Sequence, residues 1–267
     1  MVEVEIKELL EAGVHLGHKK RKWNPKMQQY IYDDKGGICI INLVKTIDLL
    51  QKACDFLREA AANRKNIIFV GTKKHIADVI KEEAIRCGAF FINRRWLGGL
   101  LTNYDTIRHR LNRLKEIEEM QEAGTLSRMN KKELSALNKE LDKLQKVLGG
   151  IKGMKGKPDI LFVIDQQEEH IAIKEAKIVG LKIVAMIDTN CDPVGIDYPI
   201  PANDDSIRSV KLISKLIANE ILKGKESNVY EANKNWTNNG NASNPRKHQE
   251  REQLVQPPQE VTAVSEE

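Results

Sequence analysis

Short apolar runs alternate along this chain with longer segments in which apolar residues recur every three or four positions. The runs are rich in isoleucine and valine, as in strands that are buried on both faces. They span Ile38–Ile41, Ile67–Val70, Ala89–Ile92, Ile160–Ile164 and Ile183–Ile187. The periodic segments predict helices over Leu43–Ala62, Lys73–Cys87, Glu168–Val179 and Ser206–Leu222. This alternation predicts an α/β fold in which an open parallel sheet carries helices on both faces.

The alternation is interrupted once, between Tyr104 and Leu148, where no strand pattern occurs. Leucines from position 134 to position 148 repeat at intervals of three and four, which is the heptad pattern of a coiled coil. Asn130 followed by Glu133 predicts a capped start for the second helix. We therefore predict an antiparallel coiled-coil helical hairpin over about residues 104–150, inserted into an α/β domain of residues 1–224.

After Gly224 the composition shifts to Asn, Gln, Glu, Ser and Pro, and we expect residues 225–267 to form a disordered polar tail. The tail carries five bases and seven acids, so residues 1–224 carry +7 against +5 for the whole chain. No apolar run approaches the roughly 20 residues of a membrane span. We expect a soluble protein with reduced cysteines, no leader peptide and no membrane partner.

The stretch between Glu11 and Asp33 contains no acid, and its cations surround the sequence Trp23-Asn24-Pro25. Clustered cations repel each other unless an anion compensates them, and a polyanion does so by releasing its counterions. We interpret residues 15–26, the basic loop, as a candidate RNA contact, with a solvated surface loop as the alternative. The candidate residues are His15, His18, Lys19, Lys20, Arg21, Lys22, Trp23, Asn24 and Lys26.

A second basic cluster lies before and within the first hairpin helix, where Asp105 is the single acid between Glu83 and Glu116. Arginine dominates it, and planar guanidinium groups suit two-point phosphate contacts and stacking on bases. A tryptophan here would stack on an unpaired base or, alternatively, pack against the sheet. A capping residue after Gly98-Gly99 would present free N–H groups to a phosphate. The candidates are Arg94, Arg95, Trp96, Thr102, Asn103, Arg108 and Arg110.

Gly71-Thr72-Lys73-Lys74 lies between a predicted strand and a predicted helix, where open α/β sheets bind phosphates. It lacks the glycines of a nucleotide loop, so we keep only an anion contact for Lys73 and Lys74. Asp188 and Asp204 would suit a divalent ion, but a turn and a helix start explain them more simply. We predict no metal, no cofactor and no catalytic residue. The alternative is a phosphate- or nucleotide-handling α/β enzyme that uses Lys73 with these carboxylates.

Several segments together, in order, resemble the landmarks of one family, the second small-subunit ribosomal protein of bacteria and plastids. The resemblance covers about residues 3–224. The matching segments are LEAGVHLGH at 10–18, RKWNPKM at 21–27, GTKK at 71–74, NRRWLGGLLTN at 93–103, IDTNCDP at 187–193 and IPANDDSIRS at 200–209.

The resemblance implies a flavodoxin-like α/β domain with a protruding coiled-coil hairpin, bound to small-subunit ribosomal RNA near the junction of head and body. It implies a structural role in translation and in assembly of the small subunit, in the bacterial cytosol or the plastid stroma. It also implies contact with other small-subunit proteins, including the large mRNA-binding ribosomal protein. RNA contact carries over to the basic loop and to Arg94-Arg95-Trp96.

One segment departs from the family pattern. Residues 165–168 read Asp-Gln-Gln-Glu, where the family usually has a proline and a basic residue. This departure weakens any expectation of an RNA or partner contact at positions 166 and 167. A free adaptor that docks a protein through its hairpin is a further interpretation, which the sequence does not separate from the ribosomal one.

Overall fold

A computed structural model describes residues 4–124 and 130–239, with side chains described as far as Ser227. The strands are β1 (Leu16–Lys19), β2 (Ile31–Lys35), β3 (Ile38–Ile41), β4 (Ile67–Val70), β5 (Phe90–Ile92), β6 (Ile160–Ile164), β7 (Lys182–Ile187) and β8 (Tyr198–Pro201). The helices are α1 (Ile6–Glu11), α2 (Leu43–Ala62), α3 (Ala77–Cys87), α4 (Tyr104–Glu122), α5 (Lys131–Leu148), α6 (His170–Val179) and α7 (Ile207–Asn239).

Five strands form a parallel sheet in the order β5-β4-β6-β7-β8. Alternate residues of its central strands enter two separate cores, as the pleat of a strand requires. Phe69 and Phe162 lie in the core shared with α2, α3 and α7, whereas Val70 and Val163 lie in the core shared with α4, α5 and α6. The predicted flavodoxin-like α/β architecture, with helices on both faces of a parallel sheet, is confirmed.

The strand Ile38–Ile41 does not join this sheet. It forms the centre of a separate antiparallel sheet with the order β1-β3-β2. Gly36 and Gly37 have φ angles of +61° and +75° and make the two-residue turn between β2 and β3. The placement of Ile38–Ile41 in the parallel sheet is therefore wrong, because an apolar run does not reveal the direction of its neighbours.

Helices α3 and α6 begin later than the sequence pattern predicts, and the strands β1, β2 and β8 are missed. Helix α3 begins at Ala77 rather than Lys73, and α6 begins at His170 rather than Glu168. In each case the preceding residues form turns in which polar side chains bind backbone or charged groups. The pattern does not predict β8 because it contains two prolines, which an edge strand tolerates.

Helices α4 and α5 pack on each other at one face of the parallel sheet. Leu114 and Leu141 are buried in the same core, and the Arg113 guanidinium pairs with Glu140 at 3.2 Å. The Asn130 N–H donates to the Glu133 carboxylate at 3.4 Å, which confirms the predicted cap. The loop residues 125–129 lie outside the described residues, and coiled-coil geometry stays a prediction.

Helix α7 continues to Asn239, past its predicted end at Leu222. Residues 225–239 of the predicted tail are therefore helical, and residues 240–267 lie outside the described part of the chain. The side chain of Lys225 donates to the carbonyls of Cys87 and Gly88, each at 2.8 Å, and so anchors the helix beyond the predicted boundary. The chain divides into two units, residues 1–227 and 228–267. None of the helices within the described ranges is long and apolar enough to cross a membrane.

Candidate nucleic-acid interface

The basic loop contains β1 and continues from it into two short 3-10 turns, Lys20–Lys22 and Pro25–Tyr30. The Asn24 side chain accepts a hydrogen bond from the Lys26 N–H at 3.0 Å and so caps the second turn. The Asn24 N–H donates to the Thr189 carbonyl at 2.8 Å, which ties the loop to the end of β7. Asn24 thus orders the loop, and an RNA contact of its own stays a prediction.

The lysines and the arginine of the basic loop are exposed, and Trp23 is half-buried. Lys20 pairs with Asp34, and the Lys26 ammonium lies 2.6 Å from the Asp192 carboxylate. The remaining cations make no ion pair within the described residues and are open to an external anion, namely Lys19, Arg21 and Lys22.

The two histidines of the basic loop differ from its lysines. His15 is half-buried, and burial lowers its pKa below the ordinary histidine value, which favours the neutral ring. His18 Nδ1 lies 3.0 Å from Asp188, and its Nε2 lies 3.3 Å from Asp205. Both ring nitrogens of His18 thus lie close to carboxylates. This geometry disfavours the RNA contact predicted for His18, and we remove it from the candidate RNA surface.

The geometry also disfavours an RNA contact for Lys73, and we remove it from the candidate RNA surface. Its ammonium lies 2.8 Å from Asp165, 3.2 Å from Asp204 and 2.6 Å from Asp205. Burial lowers the pKa of Lys73, but the surrounding carboxylates outweigh burial and raise that pKa above the ordinary lysine value. Its charge therefore compensates buried acids, whereas its neighbour Lys74 stays exposed and remains a candidate.

An acidic cluster lies at the carboxyl ends of the parallel strands. It consists of Asp165, Asp188, Asp204 and Asp205 with His18 and Lys73. Burial raises the pKa of Asp204 to about 7, and the charges of Asp188 and Asp165 add to the rise. Donor atoms of His18, Asp188 and Asp204 lie within 4.8 Å of one another, a set that suits a divalent cation. The sequence pattern pairs Asp188 with Asp204 but misses His18, because His18 lies near the other end of the chain.

Carboxylates also surround the turn between β4 and α3, and they disfavour the binding of a nucleotide phosphate there. The Thr72 N–H, one of the groups that would meet the phosphate, donates to the buried Glu169 carboxylate at 2.8 Å. Asp165 and Asp204 are buried beside Lys73. Carboxylates at these positions repel an anion, so the geometry disfavours the phosphate-handling alternative.

The turn that follows Arg95 is organised by one buried carboxylate, that of Glu175 on α6. Its Oε1 accepts hydrogen bonds from the Trp96 indole N–H at 3.1 Å and the Gly99 N–H at 2.7 Å. Its Oε2 accepts from the N–H groups of Leu101 and Thr102 and from the Thr102 hydroxyl, at 3.0, 3.2 and 3.1 Å. Burial raises the pKa of Glu175, but the hydrogen bonds outweigh burial and hold that pKa below the ordinary value.

Glu175 therefore takes the place that the sequence assigns to a phosphate. The Trp96 ring is buried in the core, which is the packing alternative, and the Thr102 donors are already bound. We therefore remove Trp96 and Thr102 from the candidate RNA surface. Asn103 accepts no capping hydrogen bond from a backbone N–H of α4, contrary to the expected cap. Its side-chain oxygen accepts from the Thr106 hydroxyl at 2.9 Å instead, and the residue stays exposed.

Four arginines around this turn are exposed and make no ion pair within the described ranges. Two precede the turn and two lie on α4, namely Arg94, Arg95, Arg108 and Arg110. They are the part of the second cluster that is open to an external anion.

The segment that departs from the family pattern braces the basic loop. The Gln166 amide donates to the Asp192 carbonyl at 2.5 Å and accepts from the Asp192 N–H at 2.9 Å. Gln167 donates to the Asn190 carbonyl at 2.8 Å. Because Asp192 pairs with Lys26, these two side chains support the turn that meets the basic loop.

Glu175 is the residue of this site that the sequence pattern missed. It lies among Ala172, Ile173 and Ala176, which form the buried stripe of α6. An acid within an apolar stripe is rarely buried without a partner, so its position was the available signal.

Comparison with known proteins shows the family of this chain. The family model described as ribosomal protein S2 matches residues 9–224. Small ribosomal subunit protein uS2 of Picosynechococcus sp. is 53% identical over 233 residues, which cover 87% of this chain and 91% of that protein. The family match includes the basic loop, the parallel sheet, both hairpin helices and Glu175. The chain belongs to the ribosomal protein S2 family.

Proposed function

We propose that the protein is a structural constituent of the small ribosomal subunit and that it binds ribosomal RNA through two basic surfaces. The observation that carries the RNA contact is a set of exposed cations without ion-pair partners among the described residues. Such cations gain most from a polyanion, since each phosphate contact releases condensed counterions. Family membership supports the ribosomal role, and with it a structural rather than an enzymatic function.

The proposed RNA surface omits the predicted residues that bind several carboxylates, His18 and Lys73, and those that bind Glu175, Trp96 and Thr102. The first part is the basic loop without His18, and the second is the exposed part of the arginine cluster. Its members are His15, Lys19, Lys20, Arg21, Lys22, Trp23, Asn24, Lys26, Lys74, Arg94, Arg95, Asn103, Arg108 and Arg110.

The test is the salt dependence of binding to small-subunit RNA. The double variant Arg94→Ala and Arg95→Ala should bind more weakly, and its logarithmic salt slope should fall by about 0.9 for each lost phosphate contact. The matched control is Lys211→Ala with Lys215→Ala, two exposed cations on α7 at the other face of the sheet. Unchanged affinity and slope in the arginine variant, or an equal loss in the control, would contradict the RNA surface.

We also propose that the protein contacts other small-subunit proteins, among them the large mRNA-binding ribosomal protein, and that it resides in the bacterial cytosol or the plastid stroma. The name of the Picosynechococcus relative supports a place in the small subunit. Sedimentation of cell extract tests this placement, because the protein should pellet with ribosomes and be released by ribonuclease or high salt. A protein that stays in the soluble fraction would contradict it.

A further inference from the structure

Glu175 connects two parts of the arginine cluster that are separated in sequence. Trp96, which directly follows Arg94 and Arg95, donates its indole N–H to Oε1 of this carboxylate. Thr102, which leads into α4, donates its N–H and its hydroxyl to Oε2. The segment that carries Arg94 and Arg95 and the helix that carries Arg108 and Arg110 are thus anchored on the same group.

We propose that Glu175 is a positioning residue for RNA binding, which holds the two arginine pairs in one fixed arrangement. This assignment rests on the proposed RNA-binding function and extends it to a residue that does not itself touch RNA. Binding to a rigid polyanion is stronger when the contacting groups are already ordered, because less conformational entropy is lost on association.

The sign of the effect separates positioning from simple electrostatics. Glu175 carries a negative charge close to a surface that binds a polyanion. If charge alone mattered, its removal would strengthen RNA binding. If Glu175 positions the arginines, its removal weakens RNA binding even though the protein becomes more positive.

The occupied turn also limits which groups meet the phosphates. The N–H groups of Gly99, Leu101 and Thr102 are all donated to Glu175. Backbone recognition of a phosphate through these three N–H groups of the turn before α4 is therefore closed. Phosphate contacts in this region come from the arginine side chains instead.

The experiment compares the full chain with Glu175→Gln, which keeps the side-chain shape and removes the charge. Binding to small-subunit ribosomal RNA is measured over a range of salt concentrations, with circular dichroism to establish that each variant is folded. We expect Glu175→Gln to bind at least about fivefold more weakly, since disordered contacts cost conformational entropy on association. The matched control is Asp105→Asn, which removes an exposed acid in the first turn of α4 and should bind equally or more tightly.

Hydroxyl-radical footprinting supplies a readout that a merely structural role would not give. We expect Glu175→Gln to lose only the protections that Arg94→Ala with Arg95→Ala also loses, while protections that depend on the basic loop persist. If Glu175→Gln does not fold, Trp96→Phe removes one hydrogen bond to Glu175 while keeping an apolar ring, and the same local loss is expected.

Three results would overturn the assignment. In the first, Glu175→Gln binds as tightly as the unmodified chain while the double arginine variant binds weakly. In the second, Glu175→Gln loses all protections together, which indicates general loss of structure. In the third, the unmodified chain fails to bind RNA, and the proposed function then fails as well.

Discussion

The two basic regions of the molecule carry similar charge but are held in place differently. The basic loop is held by backbone contacts spread along it, with the N–H groups of His18, Lys20 and Asn24 donating to three different acceptors. Its ion pairs lie at the surface. In the turn of the arginine cluster, five donors converge on one buried carboxylate, that of Glu175.

This difference predicts how each region responds to the substitution of a single residue. Contacts that are spread over many donors fail one at a time, and each exposed ion pair contributes little. Donors that converge on one buried group fail together, because loss of that group leaves all of them unsatisfied. We therefore expect the arginine cluster to respond to one substitution much more strongly than the basic loop.

The largest effect should come from Glu175→Ala, which breaks the convergent arrangement. Removing the carboxylate leaves its backbone and indole donors without a partner, so we expect a loss of about 3 kcal/mol or more in the free energy of unfolding. Urea denaturation measures this loss. Glu168→Ala, an exposed acid just before the same helix, is the control and should change the stability little. A loss below about 1 kcal/mol for Glu175→Ala would refute the convergent anchor.

A smaller effect should come from Gly17→Ala, which disturbs the packing beneath the basic loop. A Cβ at Gly17 would lie 2.5 Å from Thr189 Cγ2 and 3.0 Å from the Cys39 carbonyl. Because β1 would have to shift, we expect a loss of about 1–3 kcal/mol in the free energy of unfolding. Gly98→Ala is the control, since nothing lies within 4 Å of the Cβ that it would add. Equal denaturation midpoints for the two variants would argue against this close contact.

The acidic cluster beside the basic loop should make stability depend on pH. Asp204 has its pKa raised to about 7, so the folded chain keeps a proton that the unfolded chain has already lost. Stability therefore falls as pH rises through this value, by about 1 kcal/mol between about pH 6 and about pH 8. His18 acts in the same direction, because a hydrogen bond to Asp188 raises its pKa above the ordinary histidine value.

Unfolding at the two pH values, with EDTA present to remove divalent cations, measures this dependence. Asp204→Asn should flatten it, since the group that takes up the proton is gone. A profile as steep as that of the unmodified chain would exclude Asp204 as the responsible group.

The smallest effect should come from Lys26→Ala, which tests the exposed side of the comparison. The side chains of the lysine and its partner Asp192 are 54% and 42% exposed, so the free energy of unfolding should change by less than about 1 kcal/mol. RNA affinity should nevertheless fall, because a loop cation is lost. Lys26→Arg keeps the charge and should keep the affinity. A large loss of stability would show that the ion pair, rather than the backbone contacts, holds the loop.

Much of the fold follows from local pattern. The buried strands β4, β6 and β7 were readable because parallel strands covered on both faces are apolar at every position. Helix α2 begins and ends where its periodicity predicts, and Asn42 caps it with its side chain. The direction of β3 was not readable, because strand pairing depends on which neighbour the chain meets.

The candidate RNA surface was readable in part. Exposed cations such as Arg21 and Arg94 follow from charge density along the chain. The carboxylate contacts of His18 and Lys73 do not follow from charge density, since their partners lie far away in sequence. The Trp96 indole N–H likewise has its partner, Glu175, on α6, far away in sequence.

The sequence by itself determined the alternation of elements, the two dense basic segments and the ordered motifs of the family, because these depend on near neighbours and on residue identity. The tertiary structure decided which of the polar residues face solvent. Buried charges need partners, and those partners come from any part of the chain that folding brings within hydrogen-bonding distance. For that reason the linear pattern did not reveal the partners of Glu175, which lie in the turn after Arg95.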